Sequence, residues 1–207
     1  GMKKSVALLK AAELLGKVGL PEDAVDRFPH QFSGGQRQRI AIARALAAST
    51  TVLIADEPIS ALDTSSQAQV ANLLVDLVHE FKMGMVFISH DLSIVRRISD
   101  RVAVMYLGKI VEIGNTSQIW ENPSHPYTRA LVSAIPHADG ASFMPSDLPG
   151  DVPNPMNPPS GCRFHPRCQL ALPKCTTEEP QFVTLSDNRE VSCFLQKEGE
   201  SPASITL

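Results

Sequence analysis

The residues of this 207-residue chain that could do chemistry fall at three places. Ser33-Gly34-Gly35-Gln36 opens a helical run, Asp56-Glu57 closes the apolar stretch Thr51 to Ala55, and Ser89-His90-Asp91 closes the apolar stretch Met85 to Ile88. A serine cap followed by two glycines leaves the free N–H groups of a first helical turn open to close approach, and the helix dipole favours an anion there. Two adjacent carboxylates at a strand end suit magnesium chemistry. One carboxylate can hold the ion through water while its neighbour orients or deprotonates an attacking water. An imidazole at the end of a second strand, His90, can donate to a phosphate oxygen and hold that water in line. Each feature alone has a plain alternative: a flexible loop before a helix, a solvated acidic turn ended by Pro58, a structural histidine. No Gly-x-x-x-x-Gly-Lys-Ser/Thr loop occurs in the chain, so half of a nucleotide site is written here and the other half is not.

The elements that must position these residues follow from pattern. Thr51–Ala55 and Met85–Ile88 read as short buried strands of a parallel sheet, which brings Asp56, Glu57 and His90 to the carboxyl edge where open α/β sheets bind ligands. Behind Ser33, Ile40, Ala43, Leu46 and Ala47 recur at helical spacing. Lys3 to Gly19 reads as an amphipathic helix, apolar at Val6, Leu8, Leu9, Ala12, Leu15 and Val18. Val102–Tyr106 and Ile110–Ile113 read as a hairpin that finishes this core. Arg37 and Arg39 read as solvated helix charges.

Taken together these residues resemble the ATP-binding subunit of ABC transporters, over a span from about Pro29 to Gly114. Phe32-Ser33-Gly34-Gly35-Gln36 is similar to that family's signature sequence, with Phe where Leu is commoner. Val52 to Glu57 resembles its Walker B strand and catalytic glutamate, Ser60-Ala61-Leu62-Asp63 its D-loop, and His90 its switch histidine. The resemblance implies a partial P-loop NTPase fold, α/β, with a helical subdomain carrying the signature. It implies two ATPase subunits, identical or paralogous, facing head to tail. Ser33, Gly34, Gly35 and Gln36 would then serve the ATP of the partner, Asp56 (through Mg²⁺), Glu57 and His90 would serve their own subunit's ATP, and Asp63 with Ser60 would communicate across the dimer. The family's adenine-stacking aromatic, Walker A loop and Q-loop glutamine do not occur here. Gly1 ahead of Met2 reads as a residue left by tag removal, and the chain as the carboxyl-terminal part of a longer subunit. Alone it is expected to be inactive as an ATPase and to self-associate through the apolar surface and strand edge left open.

Composition bounds the rest. The hydrophobic share of 43% is enough for a real core, and the formal charge is −3. Neither residues 1–114 nor 115–207 carry the basic excess of a nucleic-acid binder. No apolar stretch approaches the ~20 residues that span a bilayer, and no signal peptide is visible. Proline sets the domain boundary, because most of the 16 prolines follow Gly114. The chain therefore divides into residues 1–114, the carboxyl-terminal part of a nucleotide-binding domain, and 115–207, a small irregular extension. Within it Thr116–Trp120 and Pro126–Ile135 suit helices, the second with proline at its first position, and 137–160 suits an extended connector. The run Asn122-Pro123-Ser124-His125-Pro126-Tyr127-Thr128-Arg129-Ala130-Leu131 resembles the extension of oligopeptide and dipeptide importer ATPases. That implies two membrane permeases, an external peptide-binding protein and a peripheral location on the cytoplasmic face of the membrane. Nickel importers share the extension. A soluble ABC ATPase of DNA repair or ribosomes is the alternative class, and an inactive short form a third; His125-Pro126-Tyr127 itself reads as a packed turn.

All 4 cysteines, Cys162, Cys168, Cys175 and Cys193, lie in this extension. Their spacing matches neither common zinc sites nor bacterial ferredoxins. A reducing cytosol disfavours disulfides, which leaves an iron–sulfur cluster, a Cys₄ zinc site, or unligated thiols in a small core; His165 is a conceivable further ligand that reads more simply as a surface residue. The segment around Gly161-Cys162 to Cys168 resembles the cysteine-bearing end of the same importer subfamily, some of whose members hold a four-iron, four-sulfur cluster. Either metal would staple a segment too proline-rich to build much core.

Overall fold

The structure, a computed structural model, describes residues 3–135 and 148–203. Of the connector expected over 137–160, residues 137–147 lie outside the described residues, and 148–160 carry no helix or strand. The chain is α/β and forms two compact units, Gly1–Ile98 and Ser99–Leu207.

In the first unit, α1 (Lys4–Lys17) stops where Gly19 turns left-handed (φ 73°) and Leu20 N–H closes back on the Leu15 carbonyl. Ser33 caps α2 (Gly34–Leu46), whose inward stripe is Ile42, Ala43 and Leu46. β1 (Val52–Asp56) and β2 (Gly84–Ile88) pair in parallel, with Asp56 opposite Ile88. Between them α3 (Thr64–Phe81), capped by Asp63, buries Val70, Ala71, Leu74 and Leu77, one face at helical spacing. α4 (Leu92–Ile98) follows β2. The core gathers Val18, Leu53, Ile59, Val70, Leu74 and Leu77, and truncating the fully buried Leu74 to alanine removes about 2–5 kcal/mol.

Three expectations change here. The two strands are covered on one face only: Leu53 and Ala55 are buried while Ile54 is 69% exposed, and Val52, Val86 and Ile88 stand exposed beside it. A parallel sheet is normally covered on both faces, and among the described residues nothing lies on the second one. The apolar face of α1 is likewise buried only at its carboxyl end, by Leu14, Leu15 and the following Val18; Val6, Leu8 and Leu9 are exposed. Arg39 is not a solvated charge. Its Nη1 donates to the Val18 carbonyl at 2.8 Å, tying α2 to the end of α1.

In the second unit β3 (Arg101–Tyr106) and β4 (Lys109–Asn115) form the expected antiparallel hairpin, with Leu107 and Gly108 left-handed at the turn and a bulge at Val104/Met105. The hairpin does not stand alone. β6 (Glu190–Val191) pairs with β4 and β5 (Val183–Thr184) pairs with β6, giving the order β3-β4-β6-β5. The extension thus supplies strands as well as irregular chain. α5 (Thr116–Glu121) and α6 (Pro126–Ser133) complete the unit, around Tyr106, Ile119, Phe164 and Val191.

Candidate functional site

The carboxyl ends of β1 and β2 bring Asp56, Glu57 and His90 to one edge. Glu57 Oε1 lies 2.9 Å from His90 Nδ1. Glu57 sits in a left-handed backbone conformation (φ 46°), held there by its own N–H donating to the Ile88 carbonyl at 2.9 Å. That register fixes the acid against the end of the neighbouring strand. Its second oxygen, Oε2, is buried with no partner among the described residues. An orphan carboxylate oxygen in such a place needs a donor, and a positioned water is the simplest one. Asp56 ends β1 opposite Ile88, and among the described residues its carboxylate makes no hydrogen bond or ion pair, so its oxygens are available to a hydrated cation. His90 is held above its ordinary pKa, first by the hydrogen bond to Glu57 and then by that carboxylate's charge.

Ser60 and Asp63 follow in the turn after β1. Ser60 Oγ donates to the Glu57 carbonyl at 3.1 Å, and Asp63 caps α3 by accepting from Ser66 N–H and Oγ at 3.0 and 2.8 Å. These bonds hold the Asp63 carboxyl below its usual range. The phosphate-type element is built separately. Ser33 Oγ accepts from Gln36 N–H and Gln36 Oε1 accepts from Ser33 N–H, a reciprocal cap. A Cβ added at Gly34 or Gly35 would meet nothing within 4 Å, so neither glycine is required by packing inside the chain. Among the described residues no hydrogen bond links this cap to Glu57 or His90.

In the second unit the four cysteines line one cavity of about 20 Å³, together with His125, Phe164 and His165. Gly161 makes this possible. Its φ is 64°, and a Cβ there would stand 2.4 Å from the Cys175 carbonyl, to which Cys162 N–H donates at 2.9 Å. Burial pushes the thiols of Cys162, Cys168 and Cys193 up, the last to about 12, and neighbouring sulfurs push each further. A cation between them would remove both penalties, which is the chemistry a tetrathiolate donor set offers. The arrangement is nonetheless a neighbourhood rather than a finished centre: among the described residues no three His, Cys, Asp or Glu are placed to hold a metal ion as they stand. His165 is half-buried beside the cavity with Nδ1 3.0 Å from the Cys162 carbonyl, so it is not the surface residue its sequence context implied.

Two residues that carry weight were not singled out from sequence. Glu112 on β4 is 0% exposed and accepts from the backbone N–H groups of Ser124 and His125 at 2.8 and 2.9 Å. Arg189, 2% exposed, reaches Glu112 Oε1 at 3.4 Å and Ser124 Oγ at 3.0 Å, while Nε and Nη2 clasp Asp187 at 2.9 and 2.7 Å. An acid inside the apolar run Ile110-Val111-Glu112-Ile113 was the available signal, since a buried charge demands a partner. His125, read as part of a packed turn, is one: its Nδ1 accepts from Tyr127 N–H at 3.1 Å, Pro126 starts α6, and burial lowers the imidazole pKa to about 3.

Comparison with known proteins finds matches in both parts of the chain. Residues 3–60 match the family model for ABC transporters, and residues 111–175 match the model described as the oligopeptide/dipeptide transporter, C-terminal region. The probable peptide ABC transporter ATP-binding protein y4tS of Sinorhizobium fredii is 51% identical over 90% of this chain and 53% of its own length. The oligopeptide transport ATP-binding protein AppF of Bacillus subtilis is 50% identical over 90% of this chain and 57% of its own. For the dipeptide transport ATP-binding protein DppF of Escherichia coli the figures are 50%, 93% and 58%. A solved post-hydrolysis dimer of the ATP-binding cassette MJ0796, bound to ADP and Pi, is 32% identical over 56% of this chain and 50% of that one, with a TM-score of 0.49. The chain spans little more than half the length of the curated relatives it matches. Over residues 3–60 the chain is similar to the ABC transporter family, and over residues 111–175 to the oligopeptide/dipeptide C-terminal region.

Proposed function

We propose that this chain is the signature-bearing part of an ATPase subunit that drives import of oligopeptides or dipeptides through a membrane permease. The observation that carries the reading is the Glu57–His90 pair at the carboxyl edge of β1 and β2, with an orphan carboxylate oxygen beside an unpaired aspartate. Glu57 would activate the attacking water, His90 would orient it toward the γ-phosphate and Asp56 would hold hydrated Mg²⁺, which neutralises phosphate charge as the γ-phosphoryl group passes to water and ADP leaves. Ser33, Gly34, Gly35 and Gln36 receive the phosphates of the ATP held by a second subunit, and Asp63 with Ser60 lies between the two sites. Functionally the chain divides into a nucleotide-binding portion, 1–114, and an extension, 115–207. No helix among the described residues is long and apolar enough to cross a membrane. In this reading two permease subunits hold the assembly at the cytoplasmic face.

The extension carries a tetrathiolate metal centre of Cys162, Cys168, Cys175 and Cys193. A four-iron cluster is the first occupant. A zinc ion is the second, favoured by a cavity of about 20 Å³, roughly the room one water needs. Iron and sulfide in anaerobically prepared protein support the cluster, and stoichiometric zinc in colourless protein replaces it. The transport reading is tested by uptake of labelled di- and oligopeptides into cells whose gene is deleted and then restored. Wild type should restore uptake, while Gly35→Asp and Glu57→Gln should not. Peptide uptake unaffected by the deletion overturns the reading, and loss of nickel uptake alone points to the other importer class.

A further inference from the structure

We propose that Phe28 and His30 form an aromatic shelf for the base of the nucleotide whose phosphates the Ser33–Gln36 turn receives. The inference rests on that phosphate reading. The rings of Phe28 and His30 stack in parallel, with 7° between their planes and 5.8 Å between their centroids. Phe28 is 67% exposed, and His30 is exposed beside it. The core does not need this pair. Phe32, 7% exposed, anchors the segment there, and Phe28 stands outside the cluster that Phe32 joins.

The shelf is held as firmly as the cap beside it. Gln31 Oε1 accepts from Phe28 N–H at 2.7 Å and Gln31 N–H donates back to the Phe28 carbonyl at 2.9 Å, while Pro29 fixes φ between the two rings. A reciprocal bond of the same kind follows between Ser33 and Gln36. Two caps in tandem therefore fix the backbone from Phe28 into α2. Even a fully extended chain covers no more than about 11 Å between His30 and Ser33. The shelf thus starts within reach of the ribose and base of a nucleotide whose phosphates sit on the cap. An exposed aromatic face at that distance binds a base by stacking, which tolerates any base because it meets the face of the ring and not its edge. Two rings side by side offer a purine more contact than a pyrimidine.

The test titrates the ¹⁵N,¹³C-labelled chain with ATP and, separately, with tripolyphosphate, each followed by NMR. No Gly-x-x-x-x-Gly-Lys-Ser/Thr loop competes for phosphate in this chain. We expect both ligands to move the amides of Gly34 and Gly35, and ATP alone to shift the ring signals of Phe28 and His30. Phe28→Ala should weaken ATP binding roughly 5- to 100-fold and leave tripolyphosphate binding unchanged. That variant keeps its turn, because Gln31 holds the backbone of Phe28 and not its ring. Phe28→Trp should restore ATP affinity, and GTP should bind as ATP does while UTP binds less well. Ring signals indifferent to ATP while the glycine amides respond, or a Phe28→Ala loss equal for both ligands, overturns the shelf and leaves the phosphate reading intact. Glycine amides indifferent to both ligands remove both readings.

Discussion

Glu112→Ala should be among the most damaging single changes in the second unit, and its cost can be worked from the bonds it breaks. The carboxylate is the acceptor for two buried backbone N–H groups and one of two acids around the Arg189 guanidinium. A buried donor left without an acceptor costs about 1–3 kcal/mol. Two of them give roughly 2–6 kcal/mol, the range found when one member of a buried ion pair is removed, about 3–5 kcal/mol. A loss of ~4 kcal/mol corresponds to about three orders of magnitude in the unfolding equilibrium. Hydrogen exchange is the direct assay, because the amides of Ser124 and His125 are the stranded donors and should lose protection by up to that factor. Arg189→Met should cost a similar amount. The double variant Glu112→Leu with Arg189→Met should cost less than the sum, since it leaves no buried charge of the pair behind, while the Ser124 and His125 amides stay stranded. A Glu112→Ala loss below about 1 kcal/mol, or strictly additive single effects, would refute the reasoning.

Other outcomes follow from the same geometry. In the proposed transporter assembly, Glu57→Gln should lower ATP turnover by roughly 10²- to 10⁴-fold, as measured by phosphate release. The His90 ring followed by NMR should titrate above its usual value of 6.5, and Glu57→Gln should bring it back toward that value. His125 stays neutral in the fold down to about pH 3, whereas its unfolded form takes a proton near 6.5. The second unit should therefore lose stability as pH falls from 6.5 toward 3, by up to ~5 kcal/mol, with no contribution from this residue above 6.5. His125→Phe should flatten that acid limb in urea titrations followed by hydrogen exchange. Gly161→Ala places a Cβ 2.4 Å from the Cys175 carbonyl in a left-handed backbone, so the Cys162–Cys175 contact should open and iodoacetamide should alkylate both thiols faster.

What could be seen in the sequence was what is local. The strand runs before Asp56-Glu57 and His90, the serine cap of α2 and the clustering of the cysteines each depend on neighbours a few residues away, and each is found in place. The side chain of Glu112 depends on Arg189, 77 residues on, and no period or spacing announces such a pair. β5 and β6 are two residues each, too short for alternation to register, and exist because β4 offers them an edge. Arg39 looked solvated because its partner is a backbone carbonyl, which has no sequence signature. The open face of α1 escaped for the opposite reason: an apolar pattern says a surface is to be covered, but not by what.

The left-handed backbone at Glu57 sets fold and chemistry against each other. For a residue other than glycine or asparagine that conformation costs on the order of 1–2 kcal/mol. Glu57→Gly should therefore raise the thermal stability of the first unit even as it deletes the carboxylate. A lineage released from any need to hydrolyse nucleotide would be expected to drift to glycine or asparagine here, so descendants that keep the acid advertise a motor still in use.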